Sequence, residues 1–369
     1  MVFEFFKINN LKFFLKKINL FEKLKYNIIL NFSKKISGLK LANRGIDFIF
    51  SFSKSNYISY IIRPKNSKNF NLISTEKIET KEFGIIIQGP INNKKELNFI
   101  NETIRIYKMI FPKTFIVIST WQNSYTKNLI DEDYIKICKS QLPDKPGFGN
   151  INYQIKSTSN AIKILKKNGI KNILKTRTDC RILKPNLKSY FLSLQKIFVS
   201  DGLTNSRIFA SNIATCKYRV YGITDILLFG KTEEIEIYFK DEVEEDILKK
   251  YSFNRIINET AVITEILLCA RYLKNKGVKL EWTLEHWWLC LSKYFGIVDM
   301  NSLDLFWYKY DWNFEQRFTK NYLFKSSRSI EFSEWLSMYN DFELNFKDIN
   351  YKEKFYLDEK RDEIVKKVF

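Results

Sequence analysis

An aspartate between two arginines, in Arg177-Thr178-Asp179-Cys180-Arg181, closes the apolar run Ile173-Leu174-Lys175-Thr176. That places a carboxylate beside two guanidinium groups, which grip phosphate oxygens through paired N–H donors. A second apolar run, Gly84-Ile85-Ile86-Ile87, ends in Gln88-Gly89-Pro90. Two buried parallel strands ending side by side deliver their carboxyl ends to one crevice, where α/β sheets bind ligands. A crevice holding both charge types suits a substrate that carries phosphate. Further along, Asp225 precedes the apolar Ile226-Leu227-Leu228-Phe229, and His286, the only histidine, stands in Glu285-His286-Trp287-Trp288.

The elements that must position these residues read from the same pattern. After the first strand, a helix is expected from Lys95 to Ile110, ended before Pro112. Strands follow at Thr114 to Thr120 and Tyr134 to Cys138, and the Pro/Gly-dense loop from Pro143 to Asn150 opens a helix from Asn152 to Lys167. Asn168-Gly169 stops that helix before the strand that leads into Arg177. Downstream, strands are expected at Arg207 to Ser211 and Asp225 to Gly230, and helices at Asn258 to Lys276 and Leu284 to Tyr294. Alternating strands and helices imply an α/β fold, a mainly parallel Rossmann-like sheet with helices on both faces.

The 369 residues carry 32 Phe, 20 Tyr and 45% hydrophobic content, ample for a sizeable core and against disorder. Lys and Arg total 61 against 41 Asp and Glu, a net +20 that favours anionic partners. Lys, Asn, Ile, Phe and Tyr abound throughout, as an A·T-rich coding bias would produce, so the charge carries about half its face weight. The five cysteines are scattered without a C-x-x-C pair, which fits a reducing, cytoplasmic setting and indicates neither a disulfide framework nor a zinc knuckle. No apolar stretch has the length of a membrane span, and the first residues do not read as a signal peptide. Apolar residues between Phe5 and Leu24 recur at near-helical spacing with lysines between them. They form either a basic amphipathic helix at an anionic membrane surface or an ordinary packed helix.

Six ordered motifs carry a resemblance. Gln88-Gly89-Pro90, Ser119-Thr120-Trp121, Gly149-Asn150-Ile151-Asn152-Tyr153-Gln154, Lys175-Thr176-Arg177-Thr178-Asp179, Asp225 with Phe229-Gly230, and Trp307-Tyr308-Lys309-Tyr310 follow one another as in the WavE lipopolysaccharide-synthesis family. The resemblance covers about Gly84 to Trp312. It implies a GT-A-like glycosyltransferase of bacterial surface polysaccharide assembly, using a nucleotide-sugar donor and an oligosaccharide or lipid-linked acceptor. It also implies a cytoplasmic protein with peripheral contact to an anionic inner membrane. Residues 1–82 are then a basic, partly helical extension. Residues 83–325 are the transferase domain, with a nucleotide-binding half over about 83–185 and an acceptor half over about 186–325. Residues 326–369 are a C-terminal extension.

Within that frame, Gln88 contacts base or ribose while Gly89 and Pro90 shape the turn, or all three serve only as a structural turn. Asn150 caps the following helix, and Asn152 and Gln154 reach the substrate. GT-A enzymes commonly hold a diphosphate through Asp-x-Asp and a divalent cation, whereas this chain has Arg177-x-Asp179. Either Asp179 binds Mn²⁺ or Mg²⁺ held mostly by the diphosphate, the preferred expectation, or Arg177 and Arg181 neutralise the leaving group directly. Asp225 is the first candidate for the base that takes the acceptor's proton, with Glu259 and Glu265 as alternatives. The structural alternative is a pairing of Asp225 with Lys217 or Arg219. His286 is a late metal ligand or a packed helix residue; Trp287, Trp288, Trp307 and Tyr310 stack on sugars or fill the core. A rival class, nucleic-acid binding, lacks zinc-finger spacing, an aromatic RNA-recognition strand and a basic stripe, so nucleic acid is not an expected partner. A non-catalytic assembly scaffold is the third reading.

Overall fold

The apolar run at the head of the domain, Phe83–Gln88, forms strand β1 and is buried along its whole length, as a central parallel strand covered on both faces must be. The computed structural model describes residues 67–69, 82–199, 206–217, 219–242, 263–308 and 329–341, all within the unit Pro64–Phe369. The other main strands are β2 (Phe115–Trp121), β3 (Ile135–Ser140), β4 (Asn172–Arg177), β6 (Ile208–Ser211), β7 (Leu228–Lys231) and β8 (Phe295–Val298). They form one sheet in the order β3-β2-β1-β4-β7-β6-β8. β3, β2, β1 and β4 run parallel, β7 is antiparallel to β4 and β6, and β8 is parallel to β6. The sheet is therefore mixed and mostly parallel, with α/β character as expected.

Helices cover both faces. Gly84 leaves room for α2 (Ile151–Lys167), since a Cβ there would lie 3.0 Å from Leu165. Parallel register puts Ile86, Gln88, Lys175 and Arg177 on that same face. On the opposite face Phe83 stacks with Phe111, at the end of α1 (Lys94–Ile110), and with Phe191 of α3 (Leu187–Ile197). Two further helices, α4 (Thr232–Tyr238) and α5 (Ile263–Asn275), are tied by Glu234, which accepts from Tyr272 at 2.8 Å and Lys276 at 2.9 Å.

Several expectations shift. The strand expected from Asp225 begins at Leu228, leaving Asp225 in the approach. Residues 258–262 of the helix expected from Asn258 lie outside the described residues, as do the helix expected between Phe5 and Leu24, Glu259 and Tyr310. Strands β5 (Cys180–Arg181) and β9 (Phe306–Trp307), which pair antiparallel, had no forewarning in the sequence. After α6 (Leu284–Tyr294) and the short α7 (Met300–Leu303), α8 (Phe332–Asn340) returns to the core: Trp335 is fully buried and its indole N–H donates to the carbonyls of Leu291 and Phe295. No helix among the described residues is long and apolar enough to cross a membrane.

Candidate functional site

The carboxyl ends of β1, β2 and β4 open into a cleft of about 880 Å³. It lies where β1 and β4 adjoin but the chain from β1 crosses to β2 on the other side, the switch point at which α/β sheets bind ligands. The three strand ends are knitted together. Gly89 N donates to the Ser119 carbonyl at 3.0 Å, Thr178 N to the Gln88 carbonyl at 3.0 Å, and Thr178 Oγ1 to the Pro90 carbonyl at 3.1 Å. Gly89 has φ of 143°, and a Cβ there would meet Thr178 Oγ1 at 2.4 Å, so this turn admits only glycine. Trp121 packs on Tyr153 at 5.2 Å along one wall, and Tyr308 stacks on Phe99 at 4.7 Å along the other.

Arg177 is the centre of charge. Its Nε donates to Asp179 Oδ1 at 3.0 Å, its Nη2 to Asp179 Oδ2 at 3.2 Å, and its Nη1 faces Asp225 Oδ2 at 3.5 Å. Trp307 Nε1 donates to Asp179 Oδ2 at 2.9 Å. The β5–β9 pairing brings that indole there, helped by Tyr308 N donating to the Asp179 carbonyl at 2.8 Å. Burial pushes the Asp179 carboxyl up, but the Arg177 charge and the bonds from Arg177 and Trp307 outweigh it and hold the pKa below the usual carboxylate range. Burial opposes the Arg177 charge as well, and Asp225 and Asp179 together override it. Lys175, buried behind, donates its ammonium to the Asp225 carbonyl; burial lowers its pKa to about 8.

Both oxygens of Asp179 are already engaged by Arg177 and Trp307, and among the described residues no group of three or more His, Cys, Asp or Glu could hold a metal. His286 stands apart from Asp179 in its contacts, with Nδ1 2.8 Å from the Tyr221 hydroxyl and 3.6 Å from Cys290 Sγ.

The other expected site residues divide. Gln88, Gly89, Pro90 and Gln154 line the cleft with Arg177 and Asp179. Arg181 does not: its Nε donates to Thr103 Oγ1 at 3.0 Å and its Nη2 to the Phe99 carbonyl at 2.9 Å, and its guanidinium lies 4.3 Å from the Phe99 ring centre. The turn at Thr178-Asp179 redirects the chain, so Arg181 packs on α1 instead of facing phosphate. Asn152 is buried and donates to the Lys145 carbonyl at 3.1 Å, holding the preceding loop. Asn150, expected to cap α2, is left-handed, makes no side-chain cap bond and lines the cleft instead. Asp225 is 3% exposed, does not line the cleft, and faces Arg177 rather than Lys217, which pairs with Glu334 at 2.6 Å. Trp287 and Trp288 are core residues, their indole N–H groups donating to the Cys216 and Lys217 carbonyls.

Tyr153 and Tyr308, which stand in the ordered motifs without an assigned role, and Glu96, which stands in none of them, also line the cleft. Glu96 had a signal, the Asn93-x-x-Glu96 spacing of a helix start: Asn93 accepts from the Lys95 and Glu96 amides, and Glu96 Oε1 accepts from Asn93 Nδ2 at 3.0 Å.

The His286 contacts carry a pH dependence. The Tyr221 hydroxyl accepts from the backbone N–H groups of Glu281 and Trp282, both at 3.2 Å, so its own proton goes to Nδ1 and His286 is neutral with its proton on Nε2. Burial lowers the His286 pKa, against Glu281, which raises it, and with Lys293, which lowers it. Its stabilising share is thus present above the unfolded histidine pKa and lost as pH falls through the lower folded value. Thermal denaturation between about pH 7 and about pH 5 should show a smaller loss in His286→Gln than in wild type.

The sequence profile of the family described as WavE lipopolysaccharide synthesis matches residues 83–369. No curated protein matches the chain. The profile match spans more than half of the chain, which belongs to this family and so has a role in lipopolysaccharide synthesis. It continues past Trp312 to the last residue, so the stretch set outside the resemblance above lies within the family's span.

Proposed function

We propose that this member of the family is a GT-A-like, nucleotide-sugar-dependent glycosyltransferase acting on an oligosaccharide or lipid-linked acceptor. The observation that carries the reading is the switch-point cleft with Arg177 and Asp179 on its floor and aromatic rings on both walls. Trp121, Tyr153 and Tyr308 offer apolar faces for a base or a sugar ring, and Gln88 and Gln154 offer hydrogen bonds. The strand order β3-β2-β1-β4, followed by a single reversed strand, suits the GT-A-like reading. In this site Arg177 neutralises the charge that develops on the leaving diphosphate, a task suited to a planar guanidinium in a low-dielectric pocket. Asp179 and Trp307 orient it. Direct neutralisation by Arg177 is favoured over a cation on Asp179, because using that carboxylate as a ligand would break its bonds to Arg177 and Trp307.

A thermal-shift panel of UDP-, GDP-, CMP- and dTDP-sugars with and without Mn²⁺, run on wild type and Asp179→Ala, tests the reading. One nucleotide class should raise the Tm of wild type without needing Mn²⁺, and the gain should shrink in Asp179→Ala, whose guanidinium is no longer oriented. A gain that requires Mn²⁺ would return the role to a metal, and a flat panel in both proteins would favour the scaffold.

A further inference from the structure

Behind Arg177, on the face of the sheet that carries α2, buried polar atoms gather without partners. Gln154 Oε1 and Thr158 Oγ1 of α2, Tyr238 OH of α4 and Glu265 Oε2 of α5 are sealed from solvent and make no hydrogen bond. The three helices pack together here: Ser159 Oγ donates to the Phe239 carbonyl at 2.7 Å, and Thr264 Oγ1 lies 3.5 Å from the carbonyl of Gly149 at the cleft edge. Glu265 therefore sits in the first turn of a helix that borders the cleft, with no donor fixed on Oε2 to hold the carboxylate ionised. Among the described residues the charged and titratable groups that act on it are Asp225, Arg219 and Arg177, and Tyr238 in turn feels both Asp225 and Glu265.

We propose that Glu265 is a positioning residue that holds a proton beside Asp225 behind Arg177, so that an anionic nucleotide binds in the cleft together with the uptake of a proton. The inference rests on the nucleotide-binding reading of the cleft. Charge balance is its physical basis. Arg177 is engaged by Asp179 and Asp225, Arg219 acts on Glu265 without an ion pair to it, and Oε2 is sealed from water with no donor, so Glu265 is neutral in the free protein at neutral pH. Burial, followed by the Asp225 charge, raises its pKa to about 8, while a hydrogen bond from its own backbone N–H and the charges of Arg219 and Arg177 pull the other way. A diphosphate at Arg177 adds negative charge and draws off part of the guanidinium's field, which strengthens the hold on that proton. Above about pH 8, where free Glu265 has lost its proton, binding must restore it.

The test uses the full chain, with UDP, GDP and CMP as probes, by titration calorimetry in phosphate-free buffer pairs of different ionisation enthalpy, MES and Bis-Tris at about pH 6.5 and Bicine and Tris at about pH 9. For the nucleotide that binds, the heat in wild type at the higher pH should depend on the buffer, corresponding to uptake of up to about one proton, and the dependence should be small at the lower pH. Affinity should fall by up to about tenfold per pH unit above the free pKa. Glu265→Gln, neutral at every pH, should bind with similar affinity at the lower pH and show a clearly smaller proton uptake and pH dependence than wild type, the remainder belonging to Lys175, which also titrates near pH 8; uptake equal to that of wild type would assign the linkage to Lys175 and overturn the proposal. Without nucleotide, wild type should lose stability relative to Glu265→Gln as pH rises from about 5 to about 8, since the folded carboxyl keeps a proton that the unfolded one has released. Parallel stability profiles would overturn the proposal at its root. Binding with buffer-independent heat in wild type would overturn the linkage and leave the nucleotide reading standing. If no nucleotide binds while the stability profiles differ, the cleft reading fails and the linked uptake with it.

Discussion

Arg177→Lys is expected to lower turnover by about 10²–10³-fold while leaving the protein folded. The substitution keeps one positive charge near Asp179 and Asp225, so neither carboxylate is left without a cation. It removes the fork. In wild type Nε and Nη2 hold the two oxygens of Asp179 while Nη1 faces Asp225, and that three-sided arrangement fixes the plane of the guanidinium at the cleft floor. An ammonium on a flexible stem cannot satisfy both acids and a diphosphate in one geometry. The loss should appear in kcat more than in KM, because charge on the leaving group grows towards the transition state. Release of nucleotide from the donor identified by thermal shift measures it, with far-UV circular dichroism reporting the fold. A variant that turns over within a few-fold of wild type would remove Arg177 from the chemistry.

The reason Arg177 was legible and its surroundings were not lies in the range of the interactions. β1 is an Ile run ending in Gly-Pro and β4 carries Ile173-Leu174 into a charged end, and their parallel pairing makes Gln88 and Arg177 neighbours. Alternation along a straight strand would also put Arg181 with Arg177. The turn at Thr178-Asp179 breaks the alternation, and β5 instead pairs with β9, more than 120 residues later, over two residues each. Strands that short leave no periodic trace, yet they carry Trp307 to Asp179 and so decide that this carboxylate is occupied. Asp225 was misplaced for a related reason: Ile226 and Leu227 are as buried as the strand proper but stand outside the ladder, so the apolar run overstates the strand. Asn150 and Asn152 share a residue type and a helix start, and only the left-handed turn at Gly149-Asn150 exchanges their roles.

Asp225→Ala is expected to destabilise the fold by about 3–5 kcal/mol, the scale for deleting one partner of a buried charge pair. Its side chain is almost wholly enclosed, and it faces Arg177 from the side opposite Asp179. Removal leaves two cations, Arg177 and the buried Lys175, against the single carboxylate of Asp179. Asp179→Ala should cost less, because the Asp179 side chain is 22% exposed against 4% for Asp225, and the guanidinium keeps Asp225 and gains solvent. Asp225→Asn discriminates between roles. As the base for the acceptor, Asp225 would have to reach a substrate oxygen, and its amide variant would fold normally, bind nucleotide normally and fail in turnover. As the inner support of Arg177, which its enclosure and its absence from the cleft wall favour, the amide keeps an acceptor but loses the charge. It should then lower the denaturant midpoint and weaken nucleotide binding and turnover together. Urea unfolding with nucleotide titration on the same preparations separates the two outcomes, and intact stability with isolated loss of kcat would restore Asp225 as the base.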